Sequence, residues 1–318
     1  MTLQTAAPQP ESPTEAGQRR DLKSILIPVV LVVLGLLVMV YPVLATQWNN
    51  FDQQRVANEY AKFERNADPQ QLNQELDEAR KYNHDRNTGP ILDPWLAQIS
   101  KNNDDYRHYL EQLNHTETMG RLVVPTGDIN LPIYHGTDHP TLQKGVGHLF
   151  GSDLPVGGED SHSVLTGHTG LPNATLFDNL KNVKEGDAIY VQVSGERLKY
   201  QVDQIKIVLP HESEDLRPAK GKDYLTLVTC TPYGINSHRL LVRGHRVPMD
   251  EQDHKILEQA KGAQWQWWMW ALLAASLAVA VVLIMWVRRQ LRAQAAASQR
   301  VPAMDLINKY EMEQDDDA

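Results

Sequence analysis

The chain has 318 residues, of which 31 are basic and 40 acidic, so its formal net charge is −9 at pH 7. This acidic balance argues against non-specific binding to nucleic acid, because contacts with phosphates need clustered lysines and arginines. The single cysteine excludes an intramolecular disulfide framework and a cysteine-rich zinc module. With 42% hydrophobic residues, the chain is apolar enough to fold.

Two uncharged apolar runs occupy residues 25–45 and 267–287. Each is long enough to cross the roughly 30 Å of hydrocarbon in a bilayer, which takes about 20 residues. Arginines and lysine at 19–23 precede the first run, and arginines at 288–292 follow the second. The positive-inside rule therefore predicts two spans with both termini in the cytoplasm and residues 47–264 outside.

The first run has a second interpretation. Val43-Leu44-Ala45 has the small-residue character of a signal-peptidase site. However, the apolar run is longer than the roughly 7–15 residues of a signal-peptide core, which favours an uncleaved anchor. A buried core helix is disfavoured for both runs, because core helices are rarely apolar on every face.

The segment between the spans changes character along its length. Helix formers at apolar helical spacing predict a helix over 49–85, a break signal follows at 87–90, and a second helix is predicted over 96–114. From Arg121 onward, short β-rich runs alternate with Gly, Pro and Asn. This pattern predicts a mainly β fold, a closed antiparallel barrel. The predicted strands are RLVVP, LPIYH, HSVLTGH, DAIYVQV, LKYQVDQIKIVL, DYLTLVTC and RLLVRGHRV.

Cys230 ends one predicted strand, and a Thr-Pro-Tyr-Gly turn follows it. A lone thiol is either a small buried hydrophobe or a reactive group. A strand end that opens into a loop is a position where a rigid scaffold can hold a nucleophile. Because an ordinary thiol is only a few per cent thiolate at pH 7, a catalytic cysteine needs a base or a cation nearby.

Two residues could meet that need. His168 ends a strand and enters a Gly-Leu-Pro turn, as Cys230 does at its own strand end. Arg239 begins the strand after the cysteine loop, so a hairpin could return its guanidinium to the thiol. An arginine at a strand start is also a common surface charge, and spacing alone leaves both interpretations open.

One loop contains residue types that can bind a metal. His135, Asp138 and His139 could act as ligands, but they lie in a Gly/Pro-containing loop without a further obvious ligand. The sequence has no dense carboxylate loop of the kind that binds calcium. We therefore predict neither a metal nor another cofactor.

Three segments in order resemble the sortases, membrane-anchored cysteine transpeptidases of Gram-positive cell surfaces. They are Leu-Thr-Gly-His at 165–168, Thr-Leu-Val-Thr-Cys at 226–230, and Arg239 nine residues after the cysteine. The Asp93-Pro94-Trp95 segment and the second span are similar to those of class C, the pilus-assembling sortases. Without this resemblance, an ordinary Asp-Pro turn would be preferred for 93–95.

The resemblance implies a role for each motif residue. Cys230 would be the nucleophile, His168 the acid and base, and Arg239 the cation that positions the substrate and stabilises the oxyanion. A lid over residues 91–96 would close the site, with Asp93 paired to Arg239 and Trp95 covering Cys230. Pro94 lies between these two lid residues.

The resemblance also implies a substrate. A pilin or surface-protein precursor with a C-terminal Leu-Pro-x-Thr-Gly-like signal would be cleaved through a thioester and joined to a pilin lysine. Membrane lipid would be a further partner. In the alternative of a housekeeping-type sortase, a cell-wall precursor would be another. No nucleic-acid partner is expected. Two competing interpretations are a papain-like peptidase, which usually has its histidine after the cysteine, and a non-enzymatic membrane sensor.

The predicted organisation places the catalytic domain outside the cell membrane of a Gram-positive-type bacterium. Its segments are a cytoplasmic tail at 1–24, a span at 25–45, a helical region with the lid at 47–118, the barrel at 119–250, a juxtamembrane linker at 251–266, a span at 267–287 and a cytoplasmic tail at 288–318.

Overall fold

The structure is a computed structural model that describes residues 14–86, 93 and 103–315. The chain divides into two compact units. One contains the apolar helical segments up to Val43 and from Gln266 onward, and the other is Leu44–Trp265. The second unit contains the strands and the candidate site. Of the three predicted lid residues, Asp93 is described, whereas Pro94 and Trp95 lie outside the described residues.

Two helices are long and apolar enough to cross a membrane. Helix α1 runs Thr14–Asn66 and α6 runs Trp267–Asp315, and their candidate spans are Lys23–Asn66 and Trp267–Ala295. Large apolar side chains such as Val38 point outward along them. An apolar face without protein cover is expected of a helix surrounded by lipid. Both predicted apolar runs therefore lie in helices.

The predicted helix over 49–85 is two helices. Helix α1 ends at Asn66, and α2 runs Pro69–Asp85. The Asp68 side chain accepts a hydrogen bond of 3.0 Å from the backbone N–H of Gln70, and Pro69 occupies the first turn, where its missing N–H is not needed. The prediction missed this break because helix formers continue on both sides of it.

Eight strands in the described chain close into one barrel, in the order β1-β2-β3-β4-β7-β8-β6-β5. This confirms the predicted mainly β, closed-barrel fold. The strands are β1 (Gly120–Val124), β2 (Ile129–His135), β3 (Val146–His148), β4 (Ser161–Thr166), β5 (Ala188–Val193), β6 (Glu196–Val208), β7 (Asp223–Thr231) and β8 (His238–Val247).

The barrel differs from the prediction in two details. The pairs β2–β3 and β4–β7 are parallel, whereas the remaining pairings are antiparallel. A parallel pair needs a long connection, and the chain between β4 and β7 supplies one through β5 and β6. The prediction also missed β3, since three residues are too few to show a two-residue period.

The barrel interior is filled by aliphatic side chains from facing strands. Leu122, Ile133, Leu165, Val191 and Leu227 are all buried in one cluster. Each such side chain contributes about 1.5–3 kcal/mol when it is fully removed from water. The closed, filled barrel is therefore a rigid support for the residues at its strand ends.

Buried polar groups fasten α1 and α2 to the hairpin between β5 and β6. The Tyr60 hydroxyl donates to the Met119 carbonyl at 3.2 Å and accepts from the Ser194 N–H at 3.0 Å. Glu64 accepts from the Gly195 N–H at 3.0 Å, and Ser194 donates its hydroxyl to Glu75. Burial raises the pKa of the Glu64 carboxyl. These bonds replace the water that the buried groups lose.

Two short helices precede β3. Helix α3 runs Asp104–Leu110 and α4 runs His139–Lys144. The Tyr109 hydroxyl lies 3.0 Å from Nδ1 of the buried His148 and accepts from the Gly136 N–H at 2.9 Å. Burial lowers the pKa of His148 to about 3, so this imidazole is neutral. The described part of the predicted helix 96–114 is therefore helical over the shorter α3.

The predicted juxtamembrane linker at 251–266 begins with a helix. Helix α5 runs Glu251–Glu258. Its Asp253 accepts hydrogen bonds from the Tyr190 hydroxyl at 2.7 Å and from Lys199 Nζ at 2.8 Å. Leu257 packs in a small cluster with Tyr190 and Val123. The start of this segment thus packs on the outside of the barrel.

Candidate active site

Strands β4 and β7 bring the predicted histidine and cysteine to one end of the barrel. They lie side by side and parallel, with Thr166 opposite Val228. Beyond that pair, the Gly167 N–H donates to the Val228 carbonyl at 3.1 Å, and the Thr229 hydroxyl donates to the Gly167 carbonyl at 2.7 Å. His168 follows Gly167 directly, and Cys230 follows Thr229 directly, so both residues lie at this end of the barrel. Neighbouring strands lie about 4.8 Å apart.

Strand β8 adds the predicted arginine. In the antiparallel pair β7–β8, Cys230 lies directly opposite Arg239. Side chains of directly opposite residues lie on the same face of a sheet. Cys230 is 8% exposed and Arg239 is 7% exposed, so the thiol and the guanidinium share a largely buried environment. The structure thus places Cys230 opposite Arg239, and His168 at the same end of the barrel.

Asp93 binds Arg239 from a different part of the chain. Arg239 Nε donates to Asp93 Oδ2 at 2.7 Å, and Nη2 donates to Oδ1 at 3.1 Å. Arg239 Nη1 also donates to the carbonyls of Asn236 and His238, at 3.2 Å each. A two-point guanidinium–carboxylate pair of this kind has fixed geometry. It occupies two of the guanidinium N–H donors that could otherwise bind a substrate oxygen.

The chain just before the predicted lid is also held. Arg86, which follows α2, donates from Nη2 to Asp153 Oδ1 at 2.8 Å, and both side chains are largely buried. The other Asp153 oxygen accepts a hydrogen bond of 2.8 Å from the backbone N–H of His162, which is the second residue of β4. The backbone is therefore fixed to the barrel at residue 86.

The electrostatic environment favours neutral forms of both catalytic candidates. Burial raises the pKa of the Cys230 thiol, Arg239 acts in the opposite direction, and the Asp93 carboxylate raises the pKa further. Burial and, to a lesser degree, His139 lower the pKa of His168. A neutral thiol and a neutral imidazole are therefore the prevailing pair at pH 7, and the thiolate–imidazolium pair is the minor form.

The loop after His168 is tightly organised. The Phe177 N–H donates to the His168 carbonyl at 3.0 Å, and Asp178 accepts from the Thr169 hydroxyl and the Gly170 N–H, both at 2.8 Å. A Cβ at position 167 would lie 2.7 Å from the Phe177 ring, so glycine is required there. Sequence reasoning missed the role of Asp178, whose only signal was its place in a turn-rich segment.

The three candidate metal ligands have separate structural roles. His135 Nε2 lies 2.6 Å from the Gln112 carbonyl, Asp138 accepts from the Thr141 N–H at the start of α4, and His139 lies beside His168. Over the residues that the structure describes, no group of three His, Cys, Asp or Glu side chains is arranged to hold a metal ion.

Comparison with known proteins identifies the family. A family model described as the sortase domain matches residues 122–247. The solved structure of a lid mutant of sortase A from Corynebacterium diphtheriae is 52% identical; the similarity covers 59% of this chain and 100% of that one, with a TM-score of 0.55. The chain belongs to the sortase family.

Two further comparisons refine this assignment. The pilus-related sortase C of Group B Streptococcus is 40% identical to this sortase, and the similarity covers 60% of this chain and 96% of that one, with a TM-score of 0.55. Sortase A of Streptococcus agalactiae serotype III is 31% identical over 116 residues, 36% of this chain and 47% of the relative. The matched segment thus spans about half the length of that curated relative.

Sortases are cysteine transpeptidases, and the sequence of this sortase contains one cysteine, Cys230. In the structure this cysteine lies opposite an arginine and at the same barrel end as a histidine. The sulfur, the imidazole and the guanidinium are the three chemical groups that acyl transfer needs: a nucleophile, a proton donor and acceptor, and a stabiliser of negative charge.

Proposed function

We propose that this sortase is a class C, pilus-assembling transpeptidase that cleaves a Leu-Pro-x-Thr-Gly-like signal and joins the acyl group to a lysine amine of a pilin. The observation that carries the proposal is the position of Cys230, His168 and Arg239 at the same end of the barrel, with Asp93 bound to the arginine. In this proposal Cys230 is the nucleophile, His168 the acid and base, and Arg239 the oxyanion-stabilising cation.

The first half-reaction forms a thioester. The Cys230 thiolate attacks the threonine carbonyl carbon, and the negative charge that develops on the carbonyl oxygen is stabilised by Arg239. As the intermediate collapses, the bond between threonine and glycine breaks. The His168 imidazolium gives its proton to the departing glycine amine, which leaves a thioester and a neutral imidazole.

The second half-reaction uses that neutral imidazole. A lysine amine of another pilin attacks the thioester carbon, and His168 accepts the proton that the nitrogen loses. The carbon–sulfur bond then breaks, the isopeptide bond is complete, and the thiolate–imidazolium pair is restored. Arg239 remains charged throughout, because a guanidinium does not lose its proton at working pH.

Two observations support a pilus role at a membrane. One similar structure is described as a pilus-related sortase C. The chain also has two helices long enough to span a bilayer, flanked on their outer sides by basic residues. In the proposed topology the barrel is extracytoplasmic and both termini are cytoplasmic. Membrane-tethered pilin precursors would then meet the enzyme at raised effective concentration.

We further propose that residues 91–96 form an autoinhibitory lid, and Asp93 supports this in two ways. Its carboxylate occupies two Arg239 donors, and it raises the pKa of Cys230. A substrate must displace it before the guanidinium can stabilise an oxyanion. The relative from Corynebacterium diphtheriae described as a lid mutant lends the proposal support by analogy. A covered site also protects a thioester from hydrolysis.

Replacing Asp93 with asparagine is expected to make the thiol more reactive. Removal of the carboxylate lowers the pKa of Cys230, since a nearby negative charge disfavours the thiolate. We expect labelling of Cys230 by a small neutral thiol reagent at pH 7.5 to become about tenfold faster, the factor for a bias of about 1.4 kcal/mol. The rate–pH profile should move to lower pH.

Asp203→Asn is the matched control for this experiment. Asp203 on β6 accepts two hydrogen bonds from the Arg243 guanidinium, at 3.0 and 3.3 Å. Arg243 lies four positions after Arg239 on β8. Its replacement removes an equal charge but leaves the Cys230 environment intact, so labelling should not change. Asp93→Asn and Trp95→Ala variants that label at the wild-type rate would remove the lid from the proposal.

The proposed activity is tested with the full chain in detergent and a peptide that ends in a Leu-Pro-x-Thr-Gly signal. The expected result is a mass increase on Cys230 that equals the peptide acyl group, followed by its transfer to an added lysine amine. If the peptide is cleaved without a thioester on Cys230, the proposed mechanism is wrong. If neither product forms with sorting peptides of varied sequence, the proposed substrate class is wrong.

A further inference from the structure

A second imidazole lies against the catalytic histidine candidate. His139 is the first residue of α4, and its ring centroid is 6.0 Å from that of His168, with the two ring planes at 74°. His139 is exposed to solvent, whereas His168 is half-buried. The acyl-transfer steps described above do not use His139.

Two imidazoles at this separation cannot be protonated independently. When one carries a positive charge, Coulomb repulsion opposes a second positive charge 6.0 Å away. A positive charge on the His139 ring therefore disfavours a positive charge on the His168 ring. The lowered pKa of His168 agrees with this repulsion: burial is the larger cause, and His139 is the second.

The other charged groups of the region differ in how they respond to pH. Arg239 on β8 is a fixed cation whose charge is balanced by Asp93, and Asp178 binds the loop immediately after His168. On α4, Asp138 caps the helix, and Lys144 pairs with Glu117 at 3.0 Å. Cys230 on β7 is largely buried. Apart from His168 itself, His139 is the imidazole in this set, and imidazole is the side chain whose charge ordinarily changes between pH 5 and 8.

We propose that His139 is a positioning residue of the active site that acts through His168: a positive charge on the His139 ring disfavours the His168 imidazolium that acylation needs. This inference rests on the proposed function. Acylation needs a His168 imidazolium to give a proton to the leaving glycine amine. Protonated His139 disfavours that imidazolium, so at mildly acidic pH thioester formation is slower with a charged residue at position 139 than with a neutral one.

The test compares a permanent charge with no charge at this position. His139→Lys carries a positive charge at every pH used, and His139→Gln carries none. With the full chain in detergent, acylation of Cys230 by a sorting peptide is expected to be about threefold slower in His139→Lys than in His139→Gln, the factor for two unit charges about 6 Å apart in a water-like dielectric. Wild-type protein should follow His139→Gln at pH 8 and His139→Lys at pH 5.5.

That change of behaviour with pH separates the proposal from a merely structural role. Damage to the loop would slow both variants alike and at both pH values. His115→Lys adds the same charge at another exposed histidine and should leave the acylation profile of the wild type intact. Equal rates for His139→Lys and His139→Gln, or a wild-type rate that keeps a constant ratio to both from pH 5.5 to 8, would overturn the inference.

A measurement without substrate distinguishes failure of this inference from failure of the proposed function. Titration of the His168 imidazole by NMR in the two variants should give a lower pKa in His139→Lys than in His139→Gln. Identical titration would overturn the coupling, whatever the substrate. If the titrations differ as expected but no variant forms a thioester, the inferred coupling stands and the proposed function fails.

Discussion

The Cys230→Ala variant is expected to lose thioester formation and isopeptide transfer completely. Cys230 is the only cysteine in the sequence, so the methyl group of alanine leaves no sulfur to form the covalent intermediate. General-base attack by water could still cleave a peptide slowly, but it could not store the acyl group for an amine. Intact-mass measurement for the acyl adduct, and gel analysis of peptide-to-lysine joining, would check both losses.

The fold should survive this substitution. Cys230 is small and lies at a strand end, so its loss should shift the apparent melting temperature by no more than a few degrees. A variant that melts normally yet joins peptide to lysine at the wild-type rate would show that another nucleophile does the chemistry. Retention of the full biological role would instead favour a non-enzymatic membrane sensor.

The order of residues along the chain separates this sortase from a papain-like peptidase. His168 precedes Cys230; His168 lies just beyond the end of β4, and Cys230 is the last buried residue of β7, the strand parallel to β4. Parallel neighbouring strands end at the same side of a sheet, so two residues 62 positions apart along the chain meet without any helix at the nucleophile. The fold, and not the presence of a thiol and an imidazole alone, distinguishes the two classes.

The meeting of Cys230, His168 and Arg239 could be predicted because strand ends leave strong local signals. Alternating apolar runs followed by Pro and Gly locate the end of a strand to within a residue or two. Cys230 and His168 both stand at such a signal, and the hairpin from β7 to β8 returns the chain to Arg239. Closure of the barrel was predicted from the number of short strands and from the lack of a helix that repeats between them.

Other features depend on contacts that spacing does not reveal. The pair between Asp93 and Arg239 joins residues 146 positions apart, and the resemblance to sortases, not the local pattern, pointed to it. His139 lies on α4, which connects the parallel strands β2 and β3, and β3 was too short to be predicted. Asp178 accepts from the Thr169 hydroxyl and the Gly170 N–H within its own loop, and these contacts depend on how that loop folds. Packing between elements decided the first two features, and the conformation of one loop decided the third.

Arg239→Lys is expected to slow acylation of Cys230 by about 10²–10³-fold, the loss that follows removal of one oxyanion donor. Lysine keeps the positive charge but not the planar fork, in which Nη1 donates to the carbonyls of Asn236 and His238 while Nε and Nη2 point to a different acceptor. The fall should appear in the rate of thioester formation at saturating peptide, because the oxyanion exists only in the transition state.

Arg243→Lys provides the matched control on the same strand. Arg243 makes the same two-point pair, with Asp203, but stands opposite Thr226 in the β7–β8 register, four positions from the cysteine. The two substitutions change the chain identically, so any general cost of placing lysine on β8 appears in both. Acylation should be near wild type in Arg243→Lys and almost lost in Arg239→Lys. Equal rates in the two variants would mean that charge alone is sufficient at position 239, and that the guanidinium geometry does not stabilise the oxyanion.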